Sequence, residues 1–157
     1  EQLAHKSITF GPKEGLGVLN GTAVSTAVAA LALQESHLLA IFSQVLTAMG
    51  VEAMRGSVGS FNAFFDRVRP HRGQREAAAN MRLFLTGSCL AHPEHEDEEN
   101  RGGLKQDRYA FRTSPQWIGP QLEDLVLAHE QITIECNSTT DNPLIDIEAS
   151  AIHHGGN

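Results

Sequence analysis

The sequence is short of several things, and each shortage narrows what it can be. It has only two cysteines, Cys89 and Cys136, at no spacing that suits a metal site or a redox pair. Two isolated thiols suit a reducing compartment, and the expected location is the cytoplasm. Aromatic residues make up 6% of the chain, with one tryptophan and one tyrosine. Alanine and leucine dominate the apolar residues, which favours helices packed on helices over a β-sandwich. Positive charge is in the minority: the net charge is -7, which speaks against nucleic-acid or membrane-surface partners. There is no secretory leader, and Glu1-Gln2 stands where a methionine would begin a native chain, so residues upstream are expected. Long hydrophobic runs are missing too. The most apolar one, Ala27 to Leu33, is interrupted by Gln34, Glu35 and His37 and reads as too short to span a bilayer.

What is present is enough for a core. The 157 residues are 41% hydrophobic, which fits one domain or part of a larger one. Residues 1–20, punctuated by Pro12, Gly15 and Gly17, read as a connector. From Gly21-Thr22 to about Met49 runs the longest helical pattern. Val24, Val28, Leu31, Glu35, Leu38, Leu39, Phe42, Val45, Leu46 and Met49 mostly follow three-and-four spacing, with Gly50 as the stop. Its apolar residues occupy more than one face, so burial among other helices is expected. A second helix is predicted over Val51 to about Arg67, weakened by Gly56 and Gly59 and ended by Pro70, with Gly73 as a turn. A third runs from Gln74 to Leu85, with Gly87 at its end. Residues 93–103 form an acidic, glycine-containing loop for which mobility and no catalytic role are expected. A fourth helix starts with Ser114 as N-cap and Pro115 in its first turn. Ile118, Leu122, Leu125, Val126, Ile132 and Cys136 share one of its faces. Asn137 to Asp141 is a polar turn, Asn142-Pro143 ends any helix, and His153 to Asn157 is loop-like. No internal repeat is present.

Four groups of residues invite a functional reading. Gly15-Leu16-Gly17-Val18-Leu19-Asn20-Gly21 has the glycine density of a nucleotide loop, but no strand precedes it and no sheet pattern follows, so a turn before a helix is favoured. His92 and His95 are three apart, as metal ligands on a helical turn can be. Pro93 and the acidic residues beyond favour a solvated loop instead, and no metal is expected. Arg67, Arg69, Arg72, Arg75 and Arg82 cluster with His71. Arginine suits carboxylates and phosphates, but in an acidic chain ion pairs between helices or subunits are favoured. Finally, Gln106, Tyr109 and Arg112 recur at spacing three just before the fourth helix. A helical turn or a tight loop can put all three on one side. The competing reading is a polar helix-entry loop.

This last segment, Gln106-Asp107-Arg108-Tyr109 through Arg112-Thr113-Ser114-Pro115-Gln116-Trp117-Ile118-Gly119-Pro120, resembles the phenylalanine ammonia-lyases. Pro12-Lys13-Glu14-Gly15-Leu16 through Asn20-Gly21-Thr22 agrees, as do Asn137-Ser138 through Asp141-Asn142-Pro143-Leu144-Ile145-Asp146 and His154-Gly155-Gly156-Asn157. The resemblance covers essentially the whole chain and leans toward the fungal branch. It implies an all-α fold, a bundle of long helices of which residues 1–157 are a central portion, in a homotetramer whose active sites draw on several subunits. It implies non-oxidative loss of ammonia from L-phenylalanine, or from L-tyrosine, to give trans-cinnamate or coumarate. It also implies a methylidene-imidazolone electrophile, formed autocatalytically from an Ala-Ser-Gly. By position, Asn20 and Gln106 resemble residues that hydrogen-bond the electrophile, and Tyr109 one that sits beside it. Arg112 resembles the residue that holds the substrate carboxylate, with Asn142 assisting. The chemistry suits these roles, since a guanidinium fork pairs with a carboxylate and amide donors stabilise charge developing on oxygen.

The departures from the family carry weight of their own. Ala-Ser-Gly occurs nowhere in the chain; Ala149-Ser150-Ala151 is the nearest run. The family's separate base tyrosine and the segment that discriminates phenylalanine from tyrosine are also absent. The isolated chain is therefore expected to be inactive. Gly17 stands where alanine is common in the family. An aminomutase with the same electrophile and a non-catalytic helical assembly module are the alternatives.

Overall fold

The computed structural model describes residues 7–93 and 106–156. The acidic loop predicted at about 93–103 lies outside them beyond Pro93. The chain is mostly helical, as its composition implies. Its elements are α1 (Glu14–Leu19), α2 (Ala23–Ala53), a 3-10 turn (Val58–Phe61), α3 (Ala63–Val68), α4 (Arg72–Phe84), α5 (Tyr109–Arg112) and α6 (Ser114–Cys136), then strands β1 (Leu144–Asp146) and β2 (Ala151–His153). By internal contacts the chain divides into two compact units. One comprises Glu1–Ala32 with Glu130–Asn157, the other Leu33–His129.

The second unit holds the hydrophobic core. Ala48 and Val51 of α2, Phe61, Ala77 and Met81 of α4, Leu85, Ala91 and Ile118 of α6 pack together, with Val58, Phe111 and Leu122 against them. Phe61 and Met81 are 1% and 0% exposed. Burying a side chain of this size contributes about 1.5–3 kcal/mol. Beside this core Gln44 is buried, but its amide is satisfied: Asn80 donates to its Oε1 at 2.8 Å and its Nε2 donates to the Ala40 carbonyl at 3.0 Å.

Several boundaries differ from the sequence reading. Gly50 does not stop α2. A Cβ there would lie 2.6 Å from the Phe111 ring, so the glycine serves close packing, and the helix runs on to Ala53. It ends where Arg55 takes a left-handed φ of 51°. The Gly56 N–H then donates to Val51 O at 2.8 Å and the Arg55 N–H to Glu52 O at 3.0 Å, the paired bonds of a helix C-terminus. The helix expected from Val51 to Arg67 therefore does not form as one piece. Its middle pairs with a distant segment instead, Val58 N–H to His92 O at 2.9 Å and His92 N–H to Gly56 O at 2.8 Å. Beyond α2 the helical pieces of this stretch are the 3-10 turn and α3, the latter capped by Asn62, whose Oδ1 accepts from Phe64 N at 2.6 Å.

Gly73 is not a turn either; it lies inside α4. A Cβ on Gly73 would sit 2.0 Å from the Gly119 carbonyl oxygen, and one on Gly119 would sit 2.4 Å from the Gln74 nitrogen. The two glycines let the backbones of α4 and α6 touch. Glu123 of α6 accepts from the Gly73 N–H at 2.9 Å, giving a partner to one of the N-terminal donors that a helix cannot satisfy itself. Ser114 begins α6 but does not cap it by accepting a bond. Fully buried, its hydroxyl donates to the Phe111 carbonyl at 2.7 Å. On the predicted apolar face Ile118 is buried and Leu122, Leu125 and Ile132 partly so, whereas Val126 and Cys136 are exposed.

The expectation that α2 is buried among helices is not met among the described residues. Of its 31 residues, Thr26, Gln44, Ala48 and Val51 are buried, while Val24, Val28, Leu31, Leu38, Leu39, Ile41, Phe42, Leu46 and Met49 are exposed. The described helices leave most of a helix that is apolar on several sides uncovered. The expectation that no segment can span a bilayer also needs correction. The stretch Glu14–Ala53 contains a helix long and apolar enough by length and composition. The sequence reading judged one short run, whereas the helix adds the turns on either side. Core helices of bundles meet the same criterion.

The first unit contains two features that local sequence pattern does not predict. The expected connector holds the short helix α1. Past Pro143, β1 and β2 pair antiparallel, with Leu144 opposite His153, Ile145 opposite Ile152 and Asp146 opposite Ala151. Three-residue strands are too short to show an alternating pattern.

Candidate active site

In the first unit the chain around Asn20 is stitched to the chain around Asn142. Asn20 closes α1, its N–H donating to Leu16 O at 2.8 Å. Two residues on, the Thr22 N–H donates to Thr140 Oγ1 at 3.1 Å and its hydroxyl donates to Glu135. Lys13, just before α1, pairs with Asp141. That ammonium holds the Asp141 carboxyl below its ordinary range, helped by the bond from the Asn142 N–H and opposed by partial desolvation. Asn142 in turn uses both amide hydrogens on the end of the chain, donating to His154 O at 3.1 Å and Gly156 O at 2.7 Å.

In the second unit Gln106, Tyr109 and Arg112 occupy the approach to α6. Asp107 anchors this approach: its Oδ2 accepts from the Ser57 N–H at 2.6 Å. α5 then makes one turn, which places Arg112 beside Tyr109. The guanidinium carbon stands 4.2 Å from the centre of the Tyr109 ring, a favourable cation–π distance. Tyr109 is 70% exposed, and Gln106 is exposed too. Arg112 is partly buried, and its Nε is buried with no partner among the described residues. Beside it lies a cavity of about 190 Å³ lined by Ser60, Phe65, Arg112, Thr113 and Gln116. Gln116 Oε1 is also buried and unpaired among the described residues. A buried donor and a buried acceptor left open are costly unless a bound group satisfies them.

The family described as aromatic amino acid lyase matches residues 1–157, the whole chain. The chain belongs to that family. A phenylalanine ammonia-lyase of Aspergillus lentulus is 54% identical over 158 residues, spanning 100% of this chain and 22% of its own length. A phenylalanine aminomutase of Talaromyces islandicus is 52% identical over 151 residues, 96% of this chain and 22% of its own. A crystal structure of phenylalanine ammonia-lyase from the yeast Rhodosporidium toruloides superposes with a TM-score of 0.88 at 54% identity, over 96% of this chain and 23% of that one. The chain thus spans about a fifth of the length of the curated relatives it matches. The fold is the long-helix fold of these lyases, as the resemblance implied.

Within this lyase segment the five expected site residues fall into two groups, Asn20 with Asn142 in the first unit and Gln106, Tyr109 and Arg112 in the second. Each group is gathered by contacts the sequence did not announce. Lys13, Thr22, Glu135 and Asp141 do this in the first, Asp107 and Gln116 in the second. Lys13 and Asp141 are 128 positions apart, and no local pattern links them. Lys13, Asp141, Asp107 and Gln116 do lie inside the family-like motifs, and that was the only signal. Arg112 makes no ion pair with the nearby Asp107, whose Oδ2 accepts from the Ser57 N–H. Gly15 and Gly17, expected in a turn before a helix rather than in a nucleotide loop, lie inside α1. His92 is tied into the pairing with residues 56–58, and His95 lies outside the described residues.

Proposed function

We propose that this chain contributes site residues to an enzyme that removes ammonia from L-phenylalanine, without net oxidation, to give trans-cinnamate, with L-tyrosine giving coumarate as the close alternative. Arg112 carries the reading. A partly buried guanidinium, set against an aromatic ring with a donor left unpaired, suits the carboxylate of an aromatic amino acid. Elimination breaks the Cα–N bond and one Cβ–H bond and forms the Cα=Cβ bond.

Family members use a methylidene-imidazolone, which supplies the electrophile that captures the substrate. The exposed amide of Gln106 and the exposed phenol of Tyr109 fit such a group, since both can donate to an oxygen that gains negative charge. Asn20 is assigned the same donor role, and Tyr109 a place beside the electrophile. Arg112 orients the carboxylate. Asn142 assists it, which requires one of its present bonds to His154 and Gly156 to exchange. The chain's own residues bind and orient, while the electrophile and the β-proton base come from elsewhere in the lyase. A homotetramer is the proposed assembly. The two exposed free thiols, Cys89 and Cys136, support the cytoplasm as its location.

The similarity to an aminomutase favours a second reading, in which the amine returns to the β-carbon. Incubating a lyase polypeptide that carries residues 1–157 with L-phenylalanine decides between the two. Accumulating cinnamate supports the lyase, β-phenylalanine selects the mutase, and neither product overturns both.

A further inference from the structure

The second unit carries an arginine-lined cavity of about 890 Å³ between α3 and α4 that plays no part in the reading above. α3 contributes Asp66 and Arg67 to it, and α4 contributes Arg72, Arg75, Glu76 and Arg82. The α4 residues recur at spacings of three and four, so they share one face. The other face of α4, with Gly73, Gln74, Ala77, Ala78 and Met81, is buried.

The charges in this cavity are unevenly used. Arg82 is spoken for: its Nη1 donates to Phe61 O at 2.6 Å and to Asp66 at 3.2 Å. Arg67 lies 5.5 Å over the Phe64 ring and makes no ion pair among the described residues. Arg72 and Arg75 have no side-chain partner among the described residues, and the Arg72–Glu76 pair that their spacing permits is not formed. Once Arg82 and Asp66 cancel, three guanidinium groups face one carboxylate. The cavity therefore has an excess of two positive charges in a chain whose net charge is -7. Ala63, Pro70 and Ala79 give it an apolar wall, and its volume is in the range of small-molecule sites.

We propose that this cavity binds a small organic phosphate monoester. Arginine forks pair bidentately with phosphate oxygens, a dianion matches the charge excess, and the apolar wall takes the organic body. The proposal is independent of the lyase reading.

Calorimetric titration of phenyl phosphate into the lyase polypeptide carrying residues 1–157 tests it. The expected result is saturable, salt-sensitive binding that phenol, without the phosphate, does not reproduce. Arg72→Gln combined with Arg75→Gln should weaken binding by at least about tenfold. Glu76→Gln removes the opposing carboxylate and should tighten it. That gain of affinity keeps the test decisive even if the double variant folds poorly. Absence of saturable binding to the wild type overturns the proposal, and is the result expected if another part of the protein fills the cavity. Equal binding of phenol, unchanged affinity in a folded double variant, or no gain with Glu76→Gln also overturns it.

Discussion

Arg112 is held by an aromatic ring rather than by a counter-ion. Its stacking on Tyr109 leaves the guanidinium charge uncompensated by any carboxylate among the described residues, which suits a group that must receive one from a substrate. A charge-assisted bond of this kind contributes about 1.5–3 kcal/mol. In a lyase polypeptide carrying this chain, Arg112→Ala should therefore lower kcat/KM for L-phenylalanine by at least about tenfold. Arg112→Lys should recover only part of the loss, because a point charge cannot form the fork. Near-normal kinetics in both variants would show that Arg112 holds no substrate. Asp141 offers a test of the first unit. Its carboxyl is held below the ordinary range by Lys13, so the folded state binds its proton less readily than the unfolded chain. The contribution is complete above the unfolded value of about 3.9 and fades as pH falls through the lower folded value. Asp141→Asn should thus lower the urea midpoint near neutral pH, and the gap to the wild type should begin to close only below about pH 4. A gap that is independent of pH would show that the ion pair is not its cause.

Among the elements, helix existence was legible in the sequence and helix interruption was not. The long pattern of α2, the short α4 and the helix after Ser114 could all be read from apolar spacing. Glycine proved ambiguous, because the same residue can end a helix or admit a neighbour. Gly50 and Gly73 were read as breaks, yet both lie within helices at close contacts. Gly73→Ala should destabilise the fold by about 2 kcal/mol or more, since neither of the touching backbones can yield cheaply. Gly17 is the contrast. Nothing lies within 4 Å of a Cβ built there, and it sits inside α1. Gly17→Ala should leave kinetics unchanged and raise stability by up to about 1 kcal/mol. Urea denaturation of the two variants checks both signs, and a tolerated Gly73→Ala would mean that α4 and α6 do not touch as described.

At the scale of the whole molecule, the chain exposes far more apolar surface than scattered single residues would account for. Val24, Val28, Leu31, Leu38, Leu39, Ile41, Phe42, Leu46 and Met49 of α2 are all exposed, and apolar exposure on this scale marks surface that something else covers. The 157-residue chain alone should therefore bind a hydrophobic dye strongly and self-associate on size exclusion. It should release no cinnamate from L-phenylalanine, because it contains neither an Ala-Ser-Gly nor a second tyrosine. A monomeric chain without dye binding would contradict the first expectation, and cinnamate absorbance above a buffer control the second.

The sequence by itself determined the helical class and the identity of the chemical groups. Apolar periodicity follows from the local repeat of the backbone, and a guanidinium, phenol or amide is the same wherever the fold carries it. Only the tertiary structure decided what each group meets. It set Lys13 against Asp141 across 128 positions, turned Asp107 toward Ser57, and brought Phe111 over Gly50 and Gly119 onto Gly73. These outcomes depend on which distant segment arrives at a given place, and contacts between residues far apart in the chain leave no trace in local spacing.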